Sequence, residues 1–245
     1  MESHEWFEAW FDTKYYHMLY RHRNDEEARQ FLDNILGFTK LNAGAHVQDL
    51  ACGTGRHSIY LNSLGYEVVG LDLSKNSILK AKESESDTLH FYLHDMREVF
   101  QEGSFDAVFN LFTSFGYFEK EEDNLKVIES VFKALKPGGI FVFDYLNADV
   151  VLAELPGHEI KAVDGYIFEI NKTFSNGKIQ KEITINREGQ SMSYTESVSA
   201  FSRKYLVDLI KNVGLELEHC FGSYVLEPYA KESSERIILI ARKPD

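Results

Sequence analysis

Val47-Gln48-Asp49-Leu50-Ala51-Cys52-Gly53-Thr54-Gly55-Arg56 decides the fold, because a short apolar strand, a glycine-rich turn and the start of a helix follow one another without a break. Two glycines one residue apart let the backbone come close to a ligand, since no Cβ intervenes and positive φ is open to glycine. The helix behind them turns its free N–H groups toward the same spot. Taken alone, Gly53-Thr54-Gly55 also fits a plain turn, so the reading rests on what surrounds it.

Outward from this turn, strand and helix patterns alternate. Strands are expected over 46–51, 66–71, 89–93, 105–112 and 140–144. Helices fall between them, over 56–64, from a Ser74 cap to 82, and on the face marked by Leu125, Ile128, Val131, Phe132 and Leu135, which stops at Lys136-Pro137-Gly138-Gly139. Such alternation demands a parallel sheet with right-handed crossovers, a doubly wound α/β domain. In these sheets a ligand lies at the carboxyl ends of the strands, where Asp49, Asp72, Asp95 and Asn110 fall.

After Asp144 the period changes. Tyr166, Phe168, Ile170 and Phe174 alternate with polar residues, and Asn176-Gly177 supplies a hairpin turn. Ile179, Ile183 and Ile185, then Met192, Tyr194, Val198 and Ala200, continue an antiparallel meander with one greasy face. Ser202 caps a helix ended by Gly214, and two strands over 215–224 and 235–241 are placed to pair antiparallel at the edge of the main sheet. Upstream, Trp6, Phe7, Trp10, Phe11, Tyr15, Tyr16, Leu19 and Tyr20 recur at near-helical spacing. They form either an arm packed on the body or a flap with Tyr15, Tyr16, Arg21 or Arg23 reaching inward. Asn24 and Glu27 make a capping box for a helix ended by Gly37.

Composition narrows the function. Hydrophobic residues make up 44% and charged residues 27% of the 245, as in an ordinary globular protein. The net charge of −13 argues against a phosphate-backbone partner. No apolar run reaches membrane-spanning length, and the acidic start lacks a secretory signal, so a cytoplasmic protein is expected. Cys52 and Cys220 are too few for a disulfide framework. The histidines and cysteines show no metal-ligand spacing, so no metal is expected.

The strand-end residues converge on one ligand. Asp72 can accept hydrogen bonds from both hydroxyls of a ribose, Asp95 can accept from an exocyclic amine, and Leu73 or Met96 can pack on a purine, which suits adenosine. Each aspartate alone could be a turn residue.

As an ordered set, these stretches resemble the class I S-adenosylmethionine-dependent methyltransferases. Asp49 to Gly55 matches the first motif, Gly70-Leu71-Asp72-Leu73-Ser74 the ribose acid and Asp95-Met96 the adenine clamp, with Phe105 to Asn110 and Leu135 to Gly139 matching later strands. The resemblance implies a Rossmann-like seven-stranded sheet with its last strand antiparallel. It also implies S-adenosylmethionine as cofactor, with Asp49, Ala51, Gly53 and Gly55 around its methionine part and Asp49 near the ammonium. Asn110 to Phe112 would line the route to the methyl, and Tyr16 would contact the cofactor from the arm.

Three units are expected: a helical arm over 1–45, the sheet domain over 46–150 and 203–245, and the inserted meander over 157–202 as acceptor lid or interface. The function implied is methyl transfer to a small-molecule acceptor by a monomer or homodimer, with N, O or C as the atom methylated. Tyr16, His17 and Tyr117 are candidate bases, with Tyr15 and His94 behind them. Arg203 could anchor an acidic acceptor. The alternatives are a nicotinamide-dependent oxidoreductase, which Ser58 in place of a third glycine opposes, and a non-catalytic cofactor-binding module.

Overall fold

The computed structural model describes residues 6–20 and 25–245, so Arg21, Arg23 and the Asn24 cap lie outside the described residues. Seven strands form the main sheet: β1 (His46–Leu50), β2 (Glu67–Asp72), β3 (Leu89–Leu93), β4 (Phe105–Asn110), β5 (Leu135–Leu146), β10 (Glu216–Phe221) and β11 (Arg236–Arg242). Their order is β10-β11-β5-β4-β1-β2-β3. β1 to β5 run parallel, and β11 runs antiparallel to both β5 and β10. This is the doubly wound sheet with one reversed strand that the alternation and the motifs predict. The central strands are apolar on both faces, and Val47, Val108, Phe141, Val142 and Ile238 are fully buried between helical layers.

The helices are α1 (Trp6–Phe11), α2 (Lys14–Tyr20), α3 (Asp25–Thr39), α4 (Arg56–Ser63), α5 (Lys75–Ala81), α6 (Glu121–Ala134), α7 (Ala148–Ala153) and α8 (Arg203–Asn212). Ser74 and Ser202 cap α5 and α8 by accepting from Ser77 N and Tyr205 N. Two helix ends differ from expectation. Gly37 does not end α3: the helix continues to Thr39, whose hydroxyl donates to Ile35 O, and the chain turns at Lys40 with φ 51°. α6 stops at Ala134, before the predicted Leu135, which already pairs with Phe105 as the first residue of β5.

The meander is a separate four-stranded sheet, β6 (Gly157–Val163), β7 (Tyr166–Ser175), β8 (Lys178–Arg187) and β9 (Gln190–Ser199), in sequential antiparallel order. Its first strand was not expected, because the only large apolar residue in its middle, Ile160, faces solvent and breaks the one-sided pattern. The greasy face, Phe168, Ile170, Ile183 and Ile185, packs on Trp10 and Leu19 of α1 and α2. The arm is thus sandwiched between meander and main sheet. No helix among the described residues is long and apolar enough to cross a membrane.

Candidate functional site

The turn after β1 uses its two glycines for different reasons. Gly55 has φ 84°, and a Cβ there would stand 2.6 Å from Phe91 Cζ, so the residue is required for packing. Gly53 has φ 57°, and nothing lies within 4 Å of where its Cβ would be, because that side opens on a cavity. Between the strand and these glycines, Ala51 also has positive φ, at 63°. Gly53 N donates to Asp72 Oδ2 at 2.7 Å and Ser74 N to Asp72 Oδ1 at 2.7 Å, so the acid ending β2 is fixed in the turn. Burial pushes the Asp72 carboxyl above its ordinary range in spite of these bonds.

Two cavities meet at this turn. The larger, about 610 Å³, is lined by Asp49, Ala51, Gly53, Arg56, His57 and Phe112 among others, under Tyr16, His17 and Tyr20 of α2. The smaller, about 100 Å³, is lined by Asp72, Leu73, Asp95 and Met96 at the ends of β2 and β3, under Phe7 and Phe11 of α1. Tyr16, Ala51, Gly53, Ser114 and Tyr117 belong to both and form the waist between them.

Asp49 is almost wholly buried and accepts from Ser58 Oγ at 2.6 Å. Burial raises its carboxyl to about 6, the Ser58 bond opposing and the nearby Asp72 charge adding to the shift. A nearly enclosed carboxylate facing a cavity suits a cationic group there. Ser58, where a pyrophosphate-binding turn would want glycine, is instead the hydroxyl that holds this acid.

Across the larger cavity, the Phe112 ring lies stacked on His57 at 5.0 Å and beneath the Arg56 guanidinium at 5.1 Å. Phe112 and Thr113 have φ of 56° and 62°, a conformation costing of order 1–3 kcal/mol for each such residue. Tyr117 donates its hydroxyl to Thr113 O. Burial lowers His57 to about 3, helped by Arg56, so its imidazole is neutral and Nε2 faces Arg56 Nη2 at 3.3 Å. Burial also lowers His17, against the pull of Asp12.

The arm is tied at both ends of the site. Asp12 caps α5 from outside, accepting from Ser74 Oγ at 2.6 Å and from Asn76 N at 2.9 Å. Glu196 of β9, 5% exposed, accepts from Trp10 Nε1 and Tyr20 Oη, each at 2.8 Å, with Lys181 Nζ at 3.1 Å.

Most of the expected site residues therefore come together. Of the expected cofactor-binding residues, two do not line either cavity: Gly55 packs on Phe91, and Asn110 is buried behind the wall, its Nδ2 donating to Leu50 O at 3.1 Å and Ser114 O at 3.3 Å. Asp95 lines the smaller cavity with its carboxylate held by Arg97 Nη2 at 2.6 Å. His94 lines that cavity as well. Tyr15 faces the meander at Tyr166, and Arg203 donates to Cys220 Sγ, both away from the cavities. Sequence reasoning missed Arg56, His57 and Ser114, although the first turn of a helix behind such a glycine turn points at the ligand and was signal enough for the first two. Among the described residues, no group of three His, Cys, Asp or Glu side chains could hold a metal ion.

A family profile described as "Methyltransferase domain" matches residues 41–193. YqeM of Bacillus subtilis (strain 168) is 31% identical over 211 residues, covering 80% of this chain and 83% of its own. The glycine/sarcosine N-methyltransferase of Parasynechococcus marenigrum (strain WH8102) is 28% identical over 201 residues, covering 78% and 70%. The crystal structure of an S-adenosylmethionine-dependent methyltransferase from Clostridium acetobutylicum ATCC 824 superposes with a TM-score of 0.80 at 18% identity, covering 94% of this chain and 96% of that one.

Proposed function

Since the chain belongs to the methyltransferase domain family and is an S-adenosylmethionine-dependent methyltransferase, we propose that its acceptor is a small molecule taken up in the larger cavity. When bound, S-adenosylmethionine supplies a methyl group on a positively charged sulfur, open to in-line displacement by an acceptor atom.

The residues present fit that cofactor. The smaller cavity offers Asp72 as an acceptor for hydroxyls, with Leu73 and Met96 as apolar walls for a purine. Asp95 gives an acceptor at its rim. Asp49 in the larger cavity is an enclosed carboxylate for an ammonium, and Gly53 at the waist leaves the space a side chain would fill. Asn110 acts from behind, pinning the end of β1 to the 111–117 loop.

The observation that carries a small acceptor is the two-chambered shape beneath the arm. A cavity of about 610 Å³ lies within the range of small-molecule sites. Its roof is an arm tied down by Asp12 and Glu196. The glycine/sarcosine specificity in the name of one relative supports the same class.

The chain's own chemistry there is positional. The waist residues hold acceptor and methyl donor in line, the aromatic roof excludes water, and His17 is neutral near pH 7 and so able to take a proton from an acceptor amine or hydroxyl. His57, lowered to about 3, is too weak a base for that role and serves as a neutral wall.

The test is transfer of isotopically labelled methyl from S-adenosylmethionine into a metabolite extract, with protein and RNA fractions in parallel. A heavy metabolite supports the reading; label confined to protein or RNA overturns it.

A further inference from the structure

The 111–117 loop forms one wall of both cavities, yet what fixes it lies outside them. Phe112 N donates to Asp144 Oδ2 at 2.7 Å and Thr113 N to Asp144 O at 3.1 Å. Arg236 donates from Nε to Asp144 Oδ1 at 2.8 Å and from Nη2 to Thr113 Oγ1 at 2.9 Å. Tyr224 closes the set: its hydroxyl is 3.3 Å from Asp144 Oδ2, and its ring lies 5.1 Å from Phe112 and 5.4 Å from the guanidinium. Neither Asp144, which has no exposed surface, nor Arg236 lines either of these two cavities.

The reversed strand makes this possible. Arg236 opens β11, and because β11 runs antiparallel its first residue, paired with Leu146, stands at the carboxyl edge where the ligand site is. A buried ion pair is a poor way to gain stability, since well-packed apolar side chains do as well. What the guanidinium fork adds is geometry: two donors at a fixed angle bind two acceptors, here the carboxylate behind Phe112 and the hydroxyl of Thr113. The Thr113 hydroxyl belongs to the turn whose two residues, Phe112 and Thr113, have left-handed backbone without being glycine, and Asp144 of β5 accepts from the backbone N–H of both.

We infer that Arg236 is a positioning residue for methyl transfer, which through Asp144 and Thr113 holds the Phe112 ring against His57 and the Tyr117 hydroxyl at the waist. This rests on the cofactor and acceptor occupying the two cavities as proposed above. Lysine cannot replace it, because a single ammonium reaches Asp144 or Thr113 but does not hold both at fixed angles.

The test uses the full chain with Arg236→Lys, Thr113→Ala and Thr113→Ser. Three quantities are followed: the unfolding midpoint, S-adenosylhomocysteine affinity by calorimetry, and the NMR shift of the His57 Cε1 proton, which senses the stacked Phe112 ring. In Thr113→Ala and Arg236→Lys the His57 proton should move and S-adenosylhomocysteine should bind about tenfold more weakly, a loss expected for a hydrogen bond to a charged group. Thr113→Ser should keep both signals. Variants that melt earlier with unchanged His57 shift and affinity would make Arg236 merely structural and overturn the inference. If Arg236→Lys does not fold, the Thr113 pair decides. If the wild type itself does not bind S-adenosylhomocysteine, the cavity assignment fails, and the His57 shift still reports on the loop.

Discussion

The indole N–H of Trp10 meets the Glu196 carboxylate at 2.8 Å, joining α1 to β9 across 186 positions of chain. With Tyr20 and Lys181 on the same carboxylate, this is the fastening between the aromatic arm and the meander.

Replacing Glu196 by Ala should strand the buried Trp10 indole donor, remove the carboxylate partner of the half-buried Tyr20 hydroxyl and cost about 1–3 kcal/mol. The arm should then be cut faster by protease than in the wild type while the sheet domain stays protected. Equal cleavage rates would show that the carboxylate does not hold the arm. Burial pushes the Glu196 carboxyl up, but Lys181 and the Trp10 and Tyr20 bonds together bring it below its ordinary value of 4.5. A depressed folded value means that this contribution is present above the ordinary range and is lost as pH falls through the lower, folded value. Arm cleavage should accordingly accelerate in acid in the wild type and lose that pH dependence in the Ala variant.

Asp49 has the opposite sign. With a folded value near 6 against an ordinary 3.8, the folded chain retains a proton that the unfolded chain has lost, so this group's contribution to stability declines as pH rises from about 4 to 6. The full span is roughly 3 kcal/mol. Asp49→Asn should therefore make the ligand-free protein more stable above pH 6 and weaken S-adenosylmethionine binding. In the wild type, affinity should rise between pH 5 and 7 as the carboxylate ionises toward a cationic ligand. A flat affinity profile would show that Asp49 does not face the cofactor's charge.

The two motif glycines should separate in their effects. Gly53→Ala places a methyl group in open cavity on a left-handed residue, costing about 1–2 kcal/mol of stability and blocking the cofactor. Gly55→Ala drives its methyl into Phe91 and Ala81 and should unfold the chain at markedly lower temperature. Melting curves and calorimetry on the pair distinguish a ligand-facing glycine from a packing one.

His57→Gln should leave the pH–rate profile of methyl transfer parallel to that of the wild type between pH 5 and 8, because a group lowered to about 3 does not titrate there. His17→Gln should remove a limb of that profile. Loss of the limb in the His57 variant instead would exchange the two roles.

The sheet, its reversed strand and the strand-end acids were legible because each is a local pattern: alternating apolar runs, Asp after strand, glycines before helix. Asp72 and Asp95 line the smaller cavity for that reason. Asn110 shared the position but not the orientation, since its amide turns back to Leu50 O, and no spacing rule reports which way a side chain rotates. Glu196 and Arg236 were illegible for a different cause. Their partners stand far off in sequence, and an isolated acid in a strand or an arginine at the end of the polar run Glu232 to Glu235 reads as solvated surface. β6 was missed because Ile160, the residue that would have revealed its inward face, points outward.

The shared waist has a kinetic consequence. Phe7, Phe11 and Tyr16 cover the smaller cavity, and the same Tyr16 covers the larger, so with cofactor and acceptor placed as proposed, the spent nucleoside and the methylated acceptor would leave beneath one roof. Opening it breaks the Asp12 cap or the Glu196 fastening, neither of which touches the reacting atoms. The expected outcome is a first rapid round of methylation followed by a slower steady rate, which rapid-quench measurement of the first turnovers would check; a linear start from zero would place the slow step in chemistry.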